Sequence, residues 1–116
     1  MKTKLTEKFT FEAAHRIRNK RKEYGELHGH SHTVFVTISG DLDPDVGWVM
    51  DQQDFRGIIE RIIQRLDHRY LNEILEQTTA ESIALYLFKE IEKNLEFKTL
   101  DSVKVCKSTT QAEVSK

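Results

Sequence analysis

Cysteine, proline and glycine are scarce in this chain, and each scarcity excludes something. The single cysteine, Cys106, rules out an intrachain disulfide and a cysteine-rich zinc cluster. One proline, Pro44, and five glycines leave no stretch of linker composition, and there is no internal repeat or low-complexity tract. No apolar run approaches the roughly 18–20 residues that span a bilayer. The opening MKTKLTEKFTFEAAH lacks the apolar centre of a secretory signal, so a cytoplasmic protein is expected. An excess of either charge is missing too. The net charge is −1, which gives no whole-molecule field of the kind that draws nucleic acid. Neither a nucleic acid nor a membrane partner is expected.

What is present suits one domain over residues 1–116 with one core. Residues 4–14 alternate: Leu5, Phe9, Phe11 and Ala13 take one parity, Thr6, Lys8, Thr10 and Glu12 the other. That is a half-buried strand, with His15 at its end on the apolar parity. Residues 28–39 alternate again, placing His28, His30, His32, Val34, Val36 and Ile38 on one face. GDLDPDVG (Gly40–Gly47) is a turn cluster. Phe55, Ile58, Ile59, Ile62, Ile63 and Leu66 then follow helical spacing from a start near Asp51 or Gln52. Thr78-Thr79-Ala80-Glu81 reads as a capping box, with Thr78 as N-cap and Glu81 reaching back. It opens a second helix carrying Ile83, Leu85, Leu87, Phe88, Ile91 and Leu95. DSVKVCK (Asp101–Lys107) supplies a third strand and Gln111–Val114 a fourth. The order ββααββ predicts an α+β fold, with two helices on one face of an antiparallel sheet. The open edges of such a sheet predict pairing between subunits and hence a homo-oligomer.

Three of the five histidines sit in Glu26–His32, ELHGHSH. His28 and His30 on one strand face, with His15 ending the neighbouring strand, can converge on one point. Three neutral imidazoles with an open fourth position suit a catalytic zinc ion, and they suit iron as well. His-x-His alone is a weak signal that also describes a polar strand end, and it is His15 that adds weight. His32 is the spare: a ligand, a donor behind the ligands, or a satisfied surface residue, the last being the expectation. In LDHRYLN (Leu66–Asn72), Asp67 can fix the tautomer of His68 and make it a general acid/base, but an adjacent Asp-His pair is common by chance and on pattern alone reads first as a solvated helix end.

Together, FEAAHRI (Phe11–Ile17), LHGHSH (Leu27–His32), GWVMD (Gly47–Asp51), LDHRYLN and TTAES (Thr78–Ser82) closely resemble the 6-pyruvoyltetrahydropterin synthase and 6-carboxytetrahydropterin synthase family. The resemblance runs in order from about Leu5 to Val114. It implies a tunnelling fold whose subunits form trimers around a β-barrel, usually paired as hexamers. It implies zinc on His15, His28 and His30, an activating Asp67–His68 pair, and 7,8-dihydroneopterin triphosphate as the small-molecule substrate. Zinc would polarise the side-chain oxygens while acid/base groups move protons at the adjoining carbons.

Two positions depart from the family pattern. The catalytic cysteine of its queuosine-pathway branch lies four residues before the first histidine of HGH, where this chain has Tyr24. The glutamate that holds the pterin's amino-pyrimidinone edge aligns with Lys107 in VKVCKS, and an ammonium cannot accept hydrogen bonds. Cys106 is expected to be a small strand residue and no substitute for the thiol. Glu113 is the nearest acidic residue downstream.

Three readings follow. In the first, a pterin phosphate is processed by altered acid/base groups, as in members that carry glutamate for cysteine and cleave the side chain. Tyr24, Glu23 and Glu26 are then the catalytic candidates beside Asp67 and His68, and Lys107, Thr79 and Glu81 the substrate-binding ones. In the second, the metal site serves a carbonyl-rich purine or lumazine-like ring. In the third, the protein binds zinc without catalysis, although the retained Asp67–His68 argues against that. RIRNKRKEYGE (Arg16–Glu26), with Arg16, Arg18, Lys20, Arg21 and Lys22, is either a solvated loop or an anion-attracting lid.

Overall fold

The computed structural model describes residues 1–17, 25–96 and 98–116. The two alternating segments form the two long strands, β1 (Thr3–His15) and β2 (His28–Gly40). They pair antiparallel in unbroken register from Thr3↔Gly40 to His15↔His28. Because the side-chain period is two, one face of this ribbon collects Phe9, Phe11, Ala13, Val34, Val36 and Ile38, all buried. The other face carries Thr6, Thr10, Glu12, Ser31, Thr33 and Thr37, none of them buried.

Helix α1 (Gln52–Ile63) lies on the apolar face and buries Phe55, Ile59, Ile62 and Ile63. It starts where expected, with the Asp51 carboxylate accepting from the Asp54 N–H at 3.0 Å. Helix α2 (Ala80–Asn94) buries Ile83, Ala84, Leu87, Phe88 and Ile91 beside it. Each fully buried side chain of this size contributes about 1.5–3 kcal/mol relative to exposure. Leu85, expected on that stripe, is 44% exposed. Strands β4 (Thr99–Lys107) and β5 (Thr110–Ser115) complete the sheet, β4 pairing with β2. Val103 and Val105 share the buried face as expected.

Two expectations are corrected. Thr79, not Thr78, is the N-cap of α2: its hydroxyl accepts from the Ser82 N–H at 3.1 Å. The capping box therefore does not form with Glu81. Adjacent threonines make the one-residue choice ambiguous in sequence, and the buried Thr78 is committed elsewhere.

The sheet also has a fifth strand, β3 (Arg69–Tyr70), parallel to β1 at Ala13 and Ala14. The order is β3-β1-β2-β4-β5, so the α+β sheet is mixed rather than wholly antiparallel. Two residues are too few to show alternation. What holds this segment is local: the His68 N–H donates to the Glu12 carbonyl, and the Asp67 carboxylate accepts from the Glu12 N–H at 2.9 Å. Among the described residues, β1 is paired on its outer side only at Ala13 and Ala14, and β5 has no outer neighbour. No described helix is long and apolar enough to cross a membrane.

Candidate metal centre

The last residue of β1 and the first of β2 are cross-strand partners, so His15 and His28 meet directly, and His30 follows on the same face. Their ring centroids are 4.5 Å apart for His15–His28, 4.8 Å for His28–His30 and 5.1 Å for His15–His30. One ring nitrogen from each lies within 4.8 Å of the others. His15 is fully buried, and His28 and His30 are half-buried.

Protons are assigned by the carbonyls around the rings. His15 Nδ1 lies 2.9 Å from the Thr78 carbonyl, and His28 Nδ1 lies 2.8 Å from the Glu26 carbonyl. A carbonyl only accepts, so both Nδ1 atoms carry hydrogen and donate. Both Nε2 atoms are then lone-pair acceptors, yet they face each other at 3.0 Å. Two acceptors at that distance repel unless a proton or a metal cation lies between them. Burial pushes His15 down to about 4, with the Lys107 charge adding to it, and burial followed by Lys107 lowers His30 as well. Two imidazoles with Nδ1–H held by carbonyls and Nε2 turned to a common point, and a third in His30 beside them, are a donor set of the kind Zn²⁺ takes, so these residues fit a metal ion.

The chain beyond His15 is clamped. Asn72 accepts from the Arg16 N–H at 2.8 Å and donates to the Arg16 carbonyl at 2.8 Å. The Thr78 hydroxyl also donates to that carbonyl, at 3.0 Å. Asn72 and Thr78 thus position His15, a role the sequence does not announce. Asn72 ends LDHRYLN with no chemistry of its own to mark it, and the Thr78 carbonyl is an atom every residue possesses.

His32 corrects an expectation. It is not a satisfied surface residue but fully buried, stacked on Phe11 at 4.5 Å with the rings 3° from parallel. Neither ring nitrogen has a hydrogen-bond partner among the described residues. The backbone of His30 and Phe11 lies beside the ring without reaching that geometry. Burial pushes its pKa down to about 4, with His30 and Lys107 adding to it, so the ring is neutral. It is not part of the three-histidine cluster. The parity shared with Val34 was the available signal. A buried unpartnered polar group costs about 1–3 kcal/mol. His32→Leu, close in volume, is therefore expected to leave stability equal or raise it by about 1 kcal/mol, with metal content unchanged. Denaturant unfolding checks this, and a clear loss of stability would mean the ring has a partner.

Asp67 and His68 pair as expected, His68 Nδ1 donating to the Asp67 carboxylate at 3.0 Å. The His68 side chain is 79% exposed. The Glu12 N–H, with His68 adding to it, holds the Asp67 carboxyl below the usual carboxylate range. His68 sits at φ 58°, in the left-handed region that is uncommon for a side-chain-bearing residue. With Glu12, Ala14, His30, Ser31 and Tyr70 it lines an open cleft of about 570 Å³. The register places Glu12, Ala14, Ser31 and Tyr70 on the parity opposite to His15, His28 and His30. Within one chain the Asp67–His68 pair therefore sits among residues of the opposite parity, and of the three histidines it shares its cleft with His30 alone.

Lys107 is the cross-strand partner of His32, on the metal-cluster face, and is half-buried. Glu81, exposed in the first turn of α2, is the carboxylate whose charge acts on it. The Thr79 hydroxyl is taken up by the helix cap, which also brings it to Ser82 Oγ at 3.0 Å. Glu26 is exposed and contributes its carbonyl to His28. Cys106 pairs with Thr33 and Gln111, and Glu113 with Lys104, all on the parity opposite to Lys107. Neither Cys106 nor Glu113 can serve the metal cluster of the same chain. Glu23 and Tyr24 lie outside the described residues, as do Arg18, Lys20, Arg21 and Lys22.

A family profile described as 6-pyruvoyl tetrahydropterin synthase matches residues 4–115. A dihydroneopterin monophosphate aldolase of Pyrococcus furiosus is 37% identical over 95 residues, 82% of this chain and 80% of that one. A 6-carboxy-5,6,7,8-tetrahydropterin synthase of Synechocystis is 33% identical, over 93% of this chain and 88% of that one. Human 6-pyruvoyl tetrahydrobiopterin synthase is 30% identical, over 97% and 90%. In three dimensions, the 6-pyruvoyl tetrahydropterin synthase of Caenorhabditis elegans superposes with a TM-score of 0.88 at 20% identity. That match covers 100% of this chain and 96% of the other.

Proposed function

The chain belongs to the 6-pyruvoyl tetrahydropterin synthase family, and from that premise we propose that it is a zinc-dependent lyase acting on phosphorylated 7,8-dihydroneopterin. The observation that carries the metal is the pair of facing Nε2 acceptors at 3.0 Å. His15, His28 and His30 would hold the ion, which when bound polarises the hydroxyl oxygens of the pterin side chain. Thr78 and Glu26 fix the ring orientations through their carbonyls. His68 Nε2 would take or return the proton at the reacting carbon or hydroxyl, with Asp67 holding the tautomer and stabilising the imidazolium.

Among lyase reactions, carbon–carbon cleavage is favoured over the synthase reactions. The position of the family's thiol is Tyr24, and a relative 37% identical is named as an aldolase. In that cleavage the 2′-hydroxyl loses its proton and the C1′–C2′ bond breaks. C1′ then gains a proton, giving 6-hydroxymethyl-7,8-dihydropterin and an aldehyde that retains the phosphate. Tyr24, Glu23 and Glu26 are the candidate groups for the second proton.

The protein works as a homo-oligomer in this reading, a trimer or a hexamer. Among the described residues, sheet edges stand open at β1 and β5, and the Asp67–His68 pair sits among strand residues of the parity opposite to the three histidines. Contact between copies would let the pair of one serve the cluster of another.

Metal-loaded protein should convert 7,8-dihydroneopterin monophosphate or triphosphate to the hydroxymethyl product, read by mass spectrometry. Chelated protein should not. Release of the triphosphate's phosphates without side-chain cleavage would favour a synthase instead. No change in either pterin would end the pterin reading.

A further inference from the structure

The cleft beside the Asp67–His68 pair holds a guanidinium that the proton relay does not use. Arg69 follows His68 directly and lines the same open cleft of about 570 Å³, together with Ser31, Tyr70 and one of the clustered histidines, His30. Its backbone is fixed by pairing with Ala13 of β1. It is exposed, and among the described residues no carboxylate lies within the 4 Å of an ion pair with it. Arg56 and Arg65 differ in this: the first pairs with Glu7 and Glu60, the second with Glu90. The carboxylate that shares the cleft with Arg69 is Glu12, and it is met by Ser31 instead, whose hydroxyl donates to its two oxygens at 2.9 and 2.7 Å.

A guanidinium stays charged at any working pH, and it donates through a planar fork that matches the oxygens of a phosphate. The ligand atoms that Arg69 meets must therefore be acceptors, and an anion with several oxygens suits them best. In the cleavage proposed above, His68 acts at the 2′-hydroxyl. The phosphate hangs from C3′, one carbon further along. A phosphate that close to the atom His68 serves falls to the next residue of the chain. Because the two residues are consecutive, this holds whichever copy's metal cluster the pair serves.

We propose that Arg69 is the anion-binding residue of the Asp67–His68 cleft, holding the ligand's phosphate through its guanidinium while His68 works one carbon away. That assignment rests on the pterin reading above for the identity of the ligand, but not for its anionic class. Arg69 binds and orients; it moves no proton and holds no metal. Removing its charge changes which ligand is held, and its exposure means that the fold and the metal stay in place.

The test is calorimetric titration of the metal-loaded protein with neopterin, neopterin monophosphate and inorganic phosphate, in wild type, Arg69→Met and Arg69→Lys. The wild type should prefer the monophosphate over neopterin by about tenfold or more, the scale of one hydrogen bond to a charged group. Arg69→Met should abolish that preference while metal content and neopterin affinity stay unchanged. Arg69→Lys, which keeps the charge and loses the fork, should keep part of it. If wild type binds the two pterins equally, the proposal is overturned and the pterin reading stands. A preference that survives in Arg69→Met has the same meaning. If neither pterin binds but inorganic phosphate binds in an Arg69-dependent way, the anion site stands and the pterin reading falls. If none of the three ligands binds, or phosphate alone binds without regard to Arg69, both fall.

Discussion

Replacing His28 by alanine should empty the metal centre and lower turnover of the dihydroneopterin phosphate by about a thousandfold or more, since the ion supplies several kcal/mol of transition-state stabilisation. The same substitution also bears on stability. His15 and His28 are held with their Nε2 atoms 3.0 Å apart, each ring by a carbonyl on its far side, so the ion they would hold should tie the ends of β1 and β2 together. Metal-loaded wild type should exceed metal-free wild type by about 4 kcal/mol at an ion concentration a thousand times its dissociation constant. Thermal melts with and without chelator check this. Chelation should lower the wild-type midpoint and leave that of His28→Ala where it is. A variant that responds to chelator as the wild type does would show that His28 is not a ligand.

The second large effect concerns the acid/base pair. His68→Ala should lower kcat by about 10²–10⁴-fold, the usual contribution of a positioned general acid/base, with metal content unchanged. The more telling experiment mixes subunits. The residues of β1 and β2 around Asp67–His68 take mostly the parity opposite to the three histidines, so in the oligomeric reading a working site would draw the two from different copies. His28→Ala and His68→Ala proteins, each nearly inactive alone, should regain activity when unfolded and refolded together. Some sites then combine an intact cluster with an intact pair. Absence of any recovery, with mixed oligomers verified by mass, would place the pair outside the reaction or confine each site to one chain.

How far the sequence could be read depends on the range of the interaction involved. The three clustered histidines were legible because a period of two is local, and His15 ends the strand that an antiparallel partner must meet. The long strands and α1 were legible for the same reason. Burial of His32 was within reach, since it shares parity with Val34, but its polarity argued for the surface and the Phe11 stack was invisible. The fifth strand was not legible. Two residues have no period, and Arg69–Tyr70 is placed by Asp67 and His68 binding the Glu12 backbone some 55 residues away. That same contact seats His68 beside Glu12, so the pair could be recognised while its place on the sheet could not. Thr78 was misread as a cap because its work is done by its carbonyl and by a hydroxyl turned to Arg16, neither marked by a motif. The opposite parity of Cys106 and Lys107 was legible from alternation alone, and it separates a bystander thiol from an ammonium on the metal face.

The most direct test of this account is the coordination of the ion itself, by elemental analysis and metal-edge X-ray absorption on the purified protein. The arrangement of His15, His28 and His30 predicts one zinc per chain with three imidazole nitrogens at about 2.0–2.1 Å and oxygen in the remaining position. A protein that takes up no metal, or one whose ion is bound without imidazole, would contradict it.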